Sequence, residues 1–264
     1  MAGDESTDVT RALKQDLQTD ALLGAKGVPV SSARIAELQA AGEQASEPGE
    51  ARAQAQRGPG SEEKVEQLRA LQEEHVRDCT VCHLSETRTQ TVFGQGDPDA
   101  RIVFVGEAPG FEEDRQGIAF VGRAGQLLTA MIERGMGLKR EDVFICNVLK
   151  CRPPNNRTPS TDEIAACSPY LFQQLQIIQP EVIIALGAPA AQTLLNTRDS
   201  IGRLRGRFHD FYLSGAALMG PIVPLMPTYH PAYLLRSPGE KRKAWEDLKM
   251  VMERLGLPIP EQFR

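Results

Sequence analysis

The chain has 264 residues, a formal net charge of −5, and an ordinary balance of 41% hydrophobic and 25% charged residues. That length supports one or two domains with a sizeable core, and the net charge gives no support to non-specific nucleic-acid binding. No run approaches the roughly 18 apolar residues of a membrane span, and the opening MAGDESTDVT has neither the basic nor the apolar region of a secretory signal. The sequence therefore predicts a cytoplasmic protein with reduced cysteines and no membrane partner.

Residues 1–60 are rich in Ala, Gln, Glu, Ser and Gly, and the first aromatic residue of the chain is Phe93. Such a segment cannot bury enough apolar surface to order itself, so a disordered extension is expected over 1–60 and a folded domain over 61–264. The acidic balance belongs to this end: residues 1–78 hold 15 Asp and Glu against 9 Lys and Arg, and the rest is near neutral. An acidic tail of this kind invites a protein partner, while a near-neutral domain can still bind DNA through clustered cations.

The stretch SEEKVEQLRALQEEHVRDC reads as a helix with Val65, Leu68 and Leu71 on one side, and it delivers the chain to Cys79. RIVFVG (101–106) is a continuous apolar run, as in a buried parallel strand. AGQLLTAMIERGMG reads as an amphipathic helix and EDVFICNVLK as a second strand. Ser160 and Glu163 form a capping box for a helix running to about Ile178, which Pro169 is expected to kink or break. EVIIALG is a third strand and APAAQTLLN a helix; GRFHDFYLSG and GPIVPLMP add strands. Ser237 and Glu240 read as a second capping box, opening a helix with Ala244, Trp245, Leu248, Val251, Met252 and Leu255 on one face. Strands alternating with helices imply an α/β fold with a mainly parallel sheet and helices on both faces. Sites in such sheets lie at the carboxyl ends of the strands. Three of those ends carry unusual residues: GEAPG (106–110), Asn147, and Thr228-Tyr229-His230-Pro231.

Cys79 and Cys82 form a C-x2-C, with Cys151 and Cys167 following in proline-punctuated surroundings. Zinc sites usually pair two short knuckles, and only one is present; an iron–sulfur cluster fits four thiolates with one wide pair at least as well. Cys146, inside a strand, reads as core or pocket wall. The GEAPG turn lets backbone N–H groups approach a ligand, with Glu107 at the sheet edge. It is not a dinucleotide fingerprint. A lone His230 is more often structural than catalytic, but its place at a strand end, held by Pro231, favours chemistry. Leu234, Leu235 and Arg236 read as an exposed loop, an apolar wedge beside a cation suited to entering a base stack while holding a phosphate. Arg236 clusters with Lys241, Arg242 and Lys243, and Arg203, Arg205 and Arg207 form another basic run.

Taken together, GEAPG followed by E-D, G-x-A-F-V-G-R-A-G-Q-L-L, N-V-L-K-C-R-P-P-x-N-R-x-P and H-P-A-Y-L-L-R resemble the family 4, iron–sulfur uracil-DNA glycosylases over about residues 75–256. The resemblance implies a single three-layer α/β/α domain with a four-stranded, mainly parallel central sheet. It implies a 4Fe-4S cluster on Cys79, Cys82, Cys151 and Cys167, and hydrolysis of the N-glycosidic bond of deoxyuridine in single- or double-stranded DNA by a monomer. The chemistry then distributes roles. The nucleotide must be flipped out, with Leu234 and Leu235 filling the gap and Arg236, Arg203 and Arg205 holding phosphates. Phe120 stacks on the base, and Asn147 reads its edge, since an amide can both donate and accept. His230 stabilises charge on uracil O2, and Glu107 positions water and favours the cationic sugar. Gly106, Glu107 and Ala108 line the pocket with backbone. A branch that bonds covalently to the abasic sugar has Gln where this chain has Ala108, and a histidine absent from KCRPPNNRTP. Turnover is therefore expected. Two readings compete: an iron–sulfur protein that binds uracil-DNA without cleaving it, and a zinc-stabilised hydrolase of a small molecule.

Overall fold

A computed structural model describes residues 61–213 and 221–263. The extension expected over 1–60 lies outside the described residues. The described chain is an α/β domain built on a six-stranded mixed sheet. In chain order its strands are β1 (Gln95–Gly96), β2 (Ile102–Gly106), β3 (Phe144–Asn147), β4 (Val182–Leu186), β5 (His209–Tyr212) and β6 (Ile222–Thr228), arranged β1-β3-β2-β4-β6-β5. The four central strands are parallel and are the expected ones; β1 and β5 pair antiparallel on the two edges. The expected count of four strands is thus corrected to six. β1 is only two residues long, too short to leave an alternation in the sequence.

The central strands are apolar up to the polar ends of β3 and β6, Asn147 and Thr228, because they are covered on both sides. β2 shows the division: Val103 and Val105 enter one core, Ile102 and Phe104 the other. On the first face lie α1 (Ser61–Ala70), α4 (Thr161–Ile178) and α5 (Ala188–Leu195); on the second lie α3 (Arg123–Ala130), α7 (Pro231–Arg236) and α8 (Lys241–Arg254). Two shorter helices, α2 (Phe111–Gln116) and α6 (Ile201–Leu204), sit in connections. No described helix is long and apolar enough to cross a membrane.

The capping box of α4 forms: the Ser160 hydroxyl accepts from Glu163 N at 3.3 Å and the Glu163 carboxylate accepts from Ser160 N at 2.7 Å. The helix runs through Pro169 without a break. Proline removes one N–H, and that loss is outweighed by the buried inward face of Leu171, Gln174, Leu175 and Ile178. The box expected at Ser237 does not form. Its side chain caps nothing, Pro238–Glu240 is a 3-10 turn, and α8 starts at Lys241. The Glu240 carboxylate is drawn to Lys243 instead, at 2.9 Å.

The register brings the unusual strand ends together. Gly106 pairs with Asn147 across β2 and β3, and Leu186 pairs with Thr228 across β4 and β6. All four ends lie on one edge, where the GEAPG loop, Asn147 and the His230 segment begin.

Candidate active site and cysteine centre

Gly106 is the floor of the candidate pocket. A Cβ there would lie 2.3 Å from Asn147 Oδ1 and 2.5 Å from Phe120 Cζ, so only glycine lets both side chains close over the backbone. Asn147 is buried, and its Oδ1 has no hydrogen-bond partner among the described residues. A buried carbonyl without a donor costs about 1–3 kcal/mol, and an N–H of a bound molecule would relieve it. The Asn147 main chain is anchored by Lys150, whose buried Nζ donates to Asn147 O at 2.8 Å and to Gln174 Oε1 at 2.5 Å.

Phe120 holds a left-handed backbone, φ 54°, which costs a non-glycine residue on the order of 1–2 kcal/mol. Three contacts hold it there. Arg140 Nη2 donates to Ala119 O at 2.7 Å and Phe120 O at 3.1 Å. Gly125 packs so close that a Cβ would meet Phe120 O at 1.9 Å. Glu113 accepts from Val121 N and Gly122 N, both at 3.0 Å, and with its other oxygen from Gly110 N at 3.1 Å. Glu113 thereby ties the GEAPG turn to the segment that carries Phe120. The sequence reading did not single out Arg140, Glu113 or Lys150. Glu113 alone had a signal, its place three residues into a helix whose N-cap is a glycine.

His230 caps α7: its Nδ1 accepts from Ala232 N at 3.0 Å. That bond fixes the tautomer with the proton on Nε2, leaving one N–H to donate. Its ring lies 5.6 Å from that of Phe120, centroid to centroid. Burial, helped by the charge of Arg236 and opposed by Glu113, pushes the imidazole down to about 4. The ring is therefore neutral at pH 7. Glu107 is half-buried at the head of the turn, and burial raises its pKa. Main-chain bonds from Val148 N to Gly106 O, 2.9 Å, and from Leu149 N to Glu107 O, 3.1 Å, fix the turn against β3. Ala108 packs on the core.

The outer residues differ from expectation. Leu234 and Leu235 are not in an exposed loop: they lie on α7, with Leu234 1% exposed in the core and Leu235 packed against it. The preceding proline starts a helix rather than a loop. Arg205 is not a free cation either. It forms a bidentate pair with the buried Asp247, at 3.0 and 2.8 Å, and Asp247 also accepts from Thr228 Oγ1 at 2.6 Å. Lys241 is buried, whereas Arg203 and Arg236 are exposed.

Cys79, Cys82, Cys151 and Cys167 line one small cavity, with Arg88, Lys150 and Tyr170 in its wall. No disulfide forms among the described cysteines. Arg88 Nη1 donates to Cys151 Sγ at 3.2 Å and to Cys79 O at 2.7 Å, and Lys150 N donates to Cys167 Sγ at 3.2 Å. N–H groups aimed at sulfur favour thiolates. Burial opposes them, raising Cys151 and pushing Cys167 up to about 11. No three described His, Cys, Asp or Glu side chains converge as a single ion requires. Four thiols around one cavity suit a larger group, and no carboxylate or imidazole lines it. Cys146 is fully buried in the core, apart from this set.

The profile of the family described as "Uracil DNA glycosylase superfamily" matches residues 93–249. A type-4 uracil-DNA glycosylase of Thermotoga maritima is 50% identical over 173 residues, 65% of this chain and 85% of that protein. One from Saccharolobus solfataricus is 46% identical over 186 residues, 69% and 84% of the two chains. One from Sulfurisphaera tokodaii is 44% identical over 193 residues, 72% and 85%. With the profile spanning the sheet and its site, and with identity at this level, the chain belongs to the uracil DNA glycosylase superfamily and, within it, to the type-4 uracil-DNA glycosylases.

Proposed function

We infer that the protein excises uracil from DNA by hydrolysing the N-glycosidic bond of a flipped-out deoxyuridine, leaving an abasic site. The observation that carries this is the unpartnered, buried Oδ1 of Asn147 beside Phe120 and above Gly106. Uracil N3–H supplies the missing donor, and the Asn147 amide N–H then meets O4. Cytosine would present the opposite pattern and leave both unpaired, which a site built to hydrogen-bond punishes strongly. Phe120 stacks on the base face.

As the glycosidic bond lengthens, charge grows on uracil O2 and on the sugar. His230 donates Nε2–H to O2; as a neutral donor fixed by the Ala232 bond it needs no reorganisation. Glu107, as carboxylate, orients the water and favours the cationic sugar. Water adds to the anomeric carbon, the electron pair of the broken bond leaves with uracil, and the proton lost from water passes to Glu107 or solvent. Ala108 gives no covalent partner to the sugar, consistent with turnover.

Cys79, Cys82, Cys151 and Cys167 are the residues that would hold a 4Fe-4S cluster. Bound there, the cluster would cross-link the segments that carry those four residues. Residues 61–264 form the catalytic domain in this reading, with 1–60 outside the chemistry and open to a protein partner. Arg203 and Arg236 are the exposed cations available to phosphates, and the enzyme acts as a monomer in the cytoplasm on nucleoid DNA.

A strand-scission assay tests the reading. Anaerobically purified protein is incubated with an oligonucleotide bearing one uracil, and abasic sites are cleaved with alkali. A cut at uracil, with none at thymine, is expected. Binding without a cut, by protein whose visible absorbance and iron content show a cluster, overturns it.

A further inference from the structure

An enzyme that draws a nucleotide out of a duplex must keep the gap from closing, and the side chain that enters it must be exposed, rigid and apolar on its face. Leu234 fails the first requirement at 1% exposure, and Leu235 packs against the core. On α7 the exposed side chains are Tyr233 and Arg236. Tyr233 stands three residues after His230, at a spacing that makes the two neighbours across the first turn. Its ring stacks on Tyr229, 5.0 Å between centroids and tilted 35°. The Arg205 guanidinium lies over the Tyr229 ring at 5.5 Å and is itself held by the buried Asp247. The Glu240 carboxylate lies near the Tyr229 hydroxyl and helps raise its pKa, after burial. The result is a layered prop of cation, ring and ring, with Tyr233 outermost and little rotamer freedom left to lose on binding.

The geometry points to Tyr233 as the side chain that enters the base stack of duplex DNA where the uracil nucleotide leaves it, with Leu234 as the core anchor beneath it. The proposal rests on the glycosylase reading above. A tyrosine ring suits the role because it presents a π-face to any base without selecting among them. The same stack explains the burial of Arg205: it acts on DNA through Tyr229 and Tyr233 rather than by touching a phosphate.

The test compares single-turnover excision from a U·A duplex and from the same uracil strand alone, using the full chain. Wild type should cut both. Tyr233→Ala should lose about tenfold more rate on the duplex than on the single strand, the scale of one lost base–aromatic stack. Tyr233→Phe should keep the wild-type ratio. If Tyr233→Ala melts below the assay temperature, Tyr233→Gln carries the comparison and should shift the ratio the same way. A second readout is 2-aminopurine opposite the uracil: its fluorescence should rise on binding wild type and rise less with Tyr233→Ala. Equal losses on both substrates, or none, overturn the proposal and leave Tyr233 a surface ring. Wild-type action on the single strand alone also overturns it. Wild-type failure on both substrates instead sinks the glycosylase reading and the proposal with it.

Discussion

His230 and Phe120 face one another at 5.6 Å between ring centroids, one from the end of β6 and the other from the segment after α2. Neither is held by the other. The imidazole is fixed by the Ala232 N–H, and the phenyl ring by a left-handed backbone that Arg140, Glu113 and Gly125 enforce. The slot is therefore pre-organised from two sides, and each side can be perturbed separately.

Asn147, the proposed reader of the base edge, comes first. Asn147→Ala should lower kcat/KM for uracil excision by about 10- to 100-fold, the range for hydrogen bonds to a buried substrate edge. The folded protein should be as stable as wild type or more so, because an unpaired buried oxygen has been removed. Excision kinetics with thermal melts check both.

His230→Gln should cost about 100- to 1000-fold in kcat, as for loss of one donor to a developing oxyanion. Its effect on stability has a defined sign. The folded imidazole titrates at about 4 against an ordinary 6.5. Below pH 6.5 the unfolded chain takes up a proton that the folded one refuses, so stability falls as pH drops from about 6.5 to about 4. That component should vanish in the variant, as melting temperatures across this range would reveal.

Glu107 runs the other way. Burial raises its pKa above 4.5, so it stabilises the fold only while protonated and loses that contribution as pH rises through the folded value. Glu107→Gln should melt higher than wild type at pH 7 and excise far more slowly. The acid limb of the wild-type kcat/KM profile should track Glu107, since His230 stays neutral down to about 4, and should flatten in the variant.

Arg140 donates to the main-chain oxygens of Ala119 and Phe120 and to Thr129 Oγ1, with Glu133 as a nearby counter-charge. Arg140→Met should free Phe120 from its left-handed backbone. Inhibition by free uracil, which reads base stacking directly, should weaken by about fivefold or more. An unchanged inhibition constant, with only a lower melting temperature, would reduce Arg140 to a stabilising residue.

Glu163 is a control for the fold. Its carboxylate accepts from Arg157 at 2.9 Å and pairs with His83 at 2.8 Å, and the Arg157 bonds hold its pKa down to about 2 from 4.5. Its stabilisation is full above pH 4.5 and is lost as pH falls toward 2. Glu163→Gln should cost about 2 kcal/mol at pH 7, and the difference should close in acid. Denaturant titrations at several pH values measure it.

The central strands and the residues at their ends were legible because burial on both faces writes continuous apolar runs, and the breaks in those runs are where Gly106, Asn147 and His230 stand. The exposed loop expected at Leu234 and Leu235 was misread because the two follow a proline, and a proline opens a helix as readily as it bends a loop. Arg205 looked free because its partner, Asp247, lies far along the chain on α8, where only tertiary packing brings it near. Arg140 and Lys150 left no trace, since a side chain bonded to main-chain oxygen needs no matching residue type elsewhere. Of the two edge strands, β5 was legible in GRFHDFYLSG, whereas β1 was not, for a related reason: two residues of strand carry no period.

The floor of the pocket is main chain at Gly106, and any added carbon there strikes both Asn147 and Phe120. A variant selected for other damaged bases is therefore expected to carry its changes in the walls and the rim and to keep glycine at this position, because a larger residue there displaces both side chains at once.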